Sequence, residues 1–161
     1  MKKQTFNILF LVMSFVFISF AQDKEARKVD EFGNIYCDDY LARIDVLLVE
    51  LKNSPDSKEY IFVYEGKTRM ALYDKNNKYA GEKYILPQPG QALKTIETMK
   101  RRMKLYHVDM KRLFFIKGGF RKNFTVDLWI VPKGAPPPKP TPTLNKMKYR
   151  KGKPSGFCLS M

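Results

Sequence analysis

The stretch YIFVYEGKTRM, Tyr60 to Met70, reads as a buried β-strand that turns polar at a glycine. Tyr60–Glu65 is a short apolar run rich in β-forming residues. Gly66-Lys67-Thr68-Arg69 follows, and a strand that stops at a glycine and then presents polar side chains is a common way to build a binding site. The polarity continues to Gly90, with DKNNKYAGEK and PQPG as turn signals. Twenty-five residues is long for a connection in one domain, which marks Gly66–Gly90 as a functional or mobile loop.

Upstream, Leu41, Ile44, Leu47, Leu48 and Leu51 recur at helical spacing behind Asp38, a candidate N-cap. Asn53-Ser54-Pro55 ends that helix, because the residue before proline is pushed out of the α region. Phe32–Tyr36 is expected as a short strand, and the charged residues 22–31 before it as a flexible segment. Downstream, Leu93, Ile96, Met99, Met103 and Tyr106 mark a second amphipathic helix, with His107 at its C-terminal end in a structural role. Arg112–Ile116 reads as a strand and Gly118-Gly119 as the turn after it. In the last strand, Phe124, Val126, Leu128 and Ile130 form the buried face, which leaves Asp127 solvated. The order β-α-β-α-β-β implies a two-layer α/β sandwich over residues 32–131, with two helices packed on one face of a mixed sheet. From Pro132 the composition changes to PKGAPPPKPTPT, a semi-rigid polyproline linker without core-forming residues.

Met1-Lys2-Lys3, the apolar run Ile8–Phe20 and the small residues Ser19 and Ala21 read as a signal peptide cleaved after Ala21. The apolar run is short for a bilayer span, so an uncleaved anchor is the less favoured reading. Cleavage removes two lysines and no acid, and the net charge falls from +14 to +12. Residues 132–161 hold seven Lys or Arg and no acid, so more than half of that charge lies in a basic tail. A basic exported chain favours anionic partners. Cys37 and Cys158 are the only cysteines, and in an oxidising compartment they are expected to pair, with two unrelated thiols as the alternative. The bridge would close a loop of about 120 residues, worth on the order of 4–5 kcal/mol in the chain-entropy account. One His and two distant Cys argue against a metal site, and no cofactor motif is present.

YCDDYLARIDVLLVELKNSPDSKEYIFVYEGKT (residues 36–68) and YHVDMKRLFFIKGGF (106–120) resemble segments of the OmpA-like C-terminal domain, a periplasmic module that clasps peptidoglycan. The resemblance implies an envelope location. In that family an Asp after the Thr of a GHTD motif and an Arg in the second helix bind the diaminopimelate end of the peptidoglycan peptide. Here Arg69 stands at the carboxylate position and Thr95 at the Arg position, or Lys94 with a slip of one residue. Arg69 would repel the ligand's ammonium where an Asp would pair with it.

These observations define a candidate cationic binding set of Lys67, Thr68, Arg69, Lys94, Thr95, Arg101 and Arg102. Tyr73, Tyr79, Tyr84, Trp129 and Tyr149 are aromatics able to stack on sugar rings or bases beside it. The expected function is that of a non-catalytic, exported periplasmic, cell-envelope or secreted module. Its basic surface would meet an anionic polysaccharide, lipid head groups or an acidic protein. Nucleic acid is disfavoured by export. Peptidoglycan binding through a rearranged site and an enzyme are the alternatives.

Overall fold

The strand that opens the quoted stretch does not stop at Gly66. In the computed structural model, which describes residues 25–154, it runs from Lys58 to Tyr73 and forms the centre of the sheet. The elements are β1 (Arg27–Phe32), α1 (Cys37–Asn53), β2 (Lys58–Tyr73), β3 (Tyr79–Ile85), α2 (Gln91–Leu105), a 3-10 turn (Met110–Arg112), β4 (Leu113–Asn123) and β5 (Thr125–Val131). β2 pairs with β5 antiparallel through Tyr64, with β4 parallel through Lys67, and with β3 antiparallel from Thr68 onward. β1 lies outside β5, antiparallel to it. The expected order β-α-β-α-β-β is therefore corrected to β-α-β-β-α-β-β, and strand residues outnumber helical ones. The expected long loop is largely a hairpin. Asp74 closes it, its carboxylate accepting from the Asn76 and Lys78 N–H groups, with Asn77 at a φ of 59°.

Both helices bury their stripes in one core. Tyr40, Ile44, Leu47 and Leu51 of α1 join Ile96, Met99 and Met103 of α2 against Ile61, Val63, Val126 and Leu128. Asp38 is not the cap of α1. Tyr36 holds that position without a side-chain bond, and Asp38 and Asp39 sit in the first turn, where negative charge suits the helix dipole. Helix α1 stops at Ser54, before Pro55. Its last carbonyls are satisfied from a distance, since the Arg112 guanidinium donates to the Leu51, Ser54 and Ser57 oxygens at 2.6–2.9 Å. His107 ends α2 at a φ of 55°. Its N–H bonds the Lys104 carbonyl and that of Val108 bonds Met103, which together make a Schellman stop.

The opposite sheet face is the larger departure from a two-layer plan. Side chains alternate along β2, so Tyr60, Phe62 and Tyr64 point away from the helices. Phe62 and Tyr64 are nonetheless fully buried. The segment expected as a linker passes over this face as a strap. Thr141 N–H donates to the Tyr64 hydroxyl at 3.0 Å, and the Arg121 guanidinium stacks 3.7 Å from the Tyr64 ring centre. Arg121 also grips the Thr141 carbonyl and hydroxyl, together with both oxygens of Asp127. Asp127 is thus buried and paired rather than solvated, with Lys28 at 3.5 Å as a second cation. The strap then follows the β4 edge, where the Thr143 and Leu144 N–H groups both reach the Phe120 carbonyl. It returns on the helix side. There the Tyr149 hydroxyl donates to Glu65, and Arg150 bonds the Leu86 and Pro87 carbonyls and the Gln88 side chain. Gly118 and Gly119 lie within β4 and do not form its terminal turn. A side chain at Gly118 would collide with the Tyr64 ring.

Two further expectations change near the N-terminus. Residues 27–31 of the segment expected to be flexible belong to β1, a charged edge strand held by Arg43 to Asp30 and by Arg27 to Glu50. Strand structure ends at Phe32 and does not begin there. The expected signal peptide and Cys158, and with it the pairing with Cys37, lie outside the described residues. Among the described residues no helix is long and apolar enough to cross a membrane.

β4 and β5 flank β2 on opposite sides, so the link between them must cross it. The crossing is made at Gly66. A Cβ there would lie well under 3.0 Å from the backbone of Asn123 and Phe124. The Phe124 N–H locks the crossing by donating to the Lys67 carbonyl at 2.9 Å. Gly66→Ala is expected to cost at least about 3 kcal/mol, because backbone atoms rather than a flexible side chain must move; chemical denaturation measures this.

Glu59 lies on the helix-facing side of β2, fully buried, with no hydrogen bond to either carboxylate oxygen. Burial pushes its pKa from 4.5 up to about 8, against the pull of Arg112 and with a smaller push from Glu50. The folded state therefore keeps a proton that the unfolded chain loses. Stability should fall as pH rises from about 4.5 to about 8 and level off above that. Each pH unit in this window is worth up to about 1.4 kcal/mol. Glu59→Gln should flatten the decline and leave the variant more stable than the parent at pH 8, as read from denaturation curves across pH.

Candidate functional site

Pairing between β2 and β3 decides what the quoted stretch presents. Arg69 sits opposite Tyr84, Ala71 opposite Glu82 and Tyr73 opposite Tyr79, and directly opposed residues share a face. The hairpin thus carries three tyrosines and one cation on one side. The Tyr73 and Tyr79 rings meet edge to face with centres 6.4 Å apart. Tyr36, just before α1, lies near enough to influence the Tyr79 phenol. Partial desolvation and the adjoining Glu82 carboxylate, which its hydroxyl meets, raise the pKa of that phenol. Tyr36, Tyr73, Tyr79 and Tyr84 are 57–65% exposed, which is unusual for four large rings in one neighbourhood.

Two shallow depressions adjoin the rings. One, about 260 Å³, is lined by Asn34, Lys67, Arg69, Tyr84, Asn123 and Phe124 among others. The second lies between Tyr36, Asn34, Arg69 and Glu82. Arg69 forms an ion pair with Glu82 at 3.2 Å, and its carbonyl accepts from the Asn34 side chain at 2.8 Å. The guanidinium of Arg69 is thus already engaged by a carboxylate across the hairpin.

The rest of the expected set falls elsewhere. Thr68 is on the other face of the hairpin, opposite Ile85. Thr95 is buried in α2 and its hydroxyl bonds the Gln91 carbonyl, so it is not displayed to a ligand. Lys94 pairs with Glu97 one turn away at 3.5 Å. Arg101 and Arg102 are also on α2, and neither lines the depressions beside Arg69. Of the aromatics, Tyr73, Tyr79 and Tyr84 converge. Trp129 lies under Lys28 on β5, and Tyr149 is in the strap. Tyr36, Asn34 and Glu82 were missed. Reading Asp74–Lys78 as a hairpin turn would have placed Glu82 and Tyr84 beside Arg69.

A larger cleft of about 430 Å³ opens at the start of α2, between Glu65, Leu93, Lys117, Phe120 and Tyr149. Its polar centre is already satisfied. Glu65 accepts from the Ala92 N–H at 3.0 Å and from the Tyr149 hydroxyl, which burial and then Glu65 hold protonated with a pKa of about 12. This carboxylate joins β2, α2 and the strap. Among the described residues no group of three or more His, Cys, Asp or Glu side chains is placed to hold a metal ion. Comparison of the chain with known protein families, curated proteins and solved structures finds no match.

The Arg69–Glu82 pair is solvent-exposed, and such pairs contribute little because water screens them and both side chains lose freedom. Arg69→Ala should change unfolding free energy by less than about 1 kcal/mol. A thermal melt that moved much further would show that the pair is structural.

Proposed function

We propose that the protein is a non-catalytic, exported module of the bacterial envelope that binds an anionic envelope polymer through its basic surface. The observation that carries this reading is the segregation of charge along the chain. From Gly66 onward there are 22 Lys or Arg and 5 Asp or Glu. Each of those acids is engaged locally. Asp74 closes the hairpin, Glu82 holds Arg69, Glu97 pairs with Lys94, Asp109 caps the 3-10 turn and Asp127 is clamped by Arg121. Few acidic groups remain to neutralise the hairpin and strap, so their field reaches outward to an anionic partner. The secretory pattern of residues 1–21 and the resemblance to OmpA-like domains support an envelope site of action.

Purified cell wall tests the reading. The mature chain should be retained on it at low ionic strength and elute as salt rises, since exposed charges are screened beyond about 8 Å at physiological salt. Replacing Lys146, Lys148, Lys151 and Lys153 by Gln should lower retention without unfolding the chain, because Tyr149 and Arg150 keep the strap docked. Absence of retention on any envelope fraction at low salt would refute it.

A further inference from the structure

We propose that the tyrosine face of the β2–β3 hairpin is an oligosaccharide-binding platform for a carboxylated glycan; this rests on the reading of an anionic envelope partner and specifies where and what it binds. Four tyrosines that remain more than half exposed contribute little to the core, so stability does not account for them. Their arrangement suits sugar rings. Tyr73 and Tyr79 form one aromatic station, and Tyr84 with Arg69 forms another four residues back along β2. At the strand rise these stations lie about 13 Å apart, the reach of an oligosaccharide rather than a single sugar. Tyrosine supplies a rigid apolar face for a pyranose ring and a hydroxyl for its substituents.

Charge selects the kind of glycan. Lys67 and Arg69 line the depression beside Tyr84 and face outward, which favours a carboxylate on the ligand. Glu82 lies between the two stations, opposite Ala71. A carboxylate there accepts hydrogen bonds from sugar hydroxyls. Each uronic-acid ring offers several such donors beside its carboxylate, which favours it over a nucleic acid, whose bases would also stack on the rings but whose phosphates donate none. The Arg69–Glu82 pair is exposed and weak, so a ligand carboxylate can take over the Arg69 guanidinium while Glu82 turns to ligand hydroxyls.

Polygalacturonate is a suitable probe, measured by affinity electrophoresis and calorimetry with the full mature chain. Neutral dextran and a single-stranded oligonucleotide serve as comparators. Tyr73→Ser with Tyr84→Ser alters only exposed side chains and should weaken polygalacturonate binding roughly tenfold or more, the scale of a lost aromatic stacking contact. Circular dichroism and melting temperature should stay at the parent values. Replacing the four strap lysines by Gln should leave polyuronate affinity within about threefold while it lowers retention on cell wall. If the tyrosine variant binds polygalacturonate as the parent does, the platform is refuted, while the basic-surface reading stands as long as wall retention still depends on the strap lysines. Tighter, tyrosine-dependent binding of the oligonucleotide would also overturn the glycan assignment. Loss of both polyuronate and wall binding in the parent chain would remove both proposals.

Discussion

The backbone of Asn123 and Phe124 crosses β2 at Gly66, and the space there accepts no side chain. Much of the architecture follows from that contact. It lets β4 and β5 flank the same strand although they are consecutive in sequence. It places Val126 and Leu128 on the helix side of the sheet, where α1 and α2 close over them. It also leaves β2 free to continue past the crossing and pair with β3, which creates the displayed hairpin. The glycine that first looks like the end of a strand is the point at which the strand is allowed to go on.

What could be read in the sequence was whatever the helix-covered core imposes on it. Ile44, Leu47 and Leu51, and Ile96, Met99 and Met103, repeat with the helical period because water is excluded from one side of each helix. Tyr60–Tyr64 was legible as a strand because it is buried on both faces. β1 and β3 were not legible. Each is an edge or hairpin strand whose residues stay largely in water, and their pairing is carried by the backbone. The strap was hidden for a related reason. It is held by hydrogen bonds from Arg121 and Arg150 and to Tyr64 and Glu65, which leave no apolar repeat in a proline-rich segment.

The candidate site divides along the same line. Lys67 and Arg69 could be singled out because polar residues follow a buried run. Tyr36 and Glu82 join them only through register and tertiary placement. Thr95 belongs to the expected set only through the resemblance to a family motif, and it is a core residue whose hydroxyl is bonded within its own helix. Asp127 failed the alternation argument because a sheet covered on both sides buries both sets of side chains, and Arg121 from the neighbouring segment neutralises it.

The strap is the last part of the described chain to leave the ribosome, and it seats on Tyr64 and Glu65, which are made some eighty residues earlier. A copy that is cut short or still emerging lacks the Thr141 bond to Tyr64 and the Tyr149 bond to Glu65. Arrival of the strap is thereby written on the surface. A molecule whose strap is seated hides the Tyr64 face of its sheet, and one without it shows that aromatic face to water.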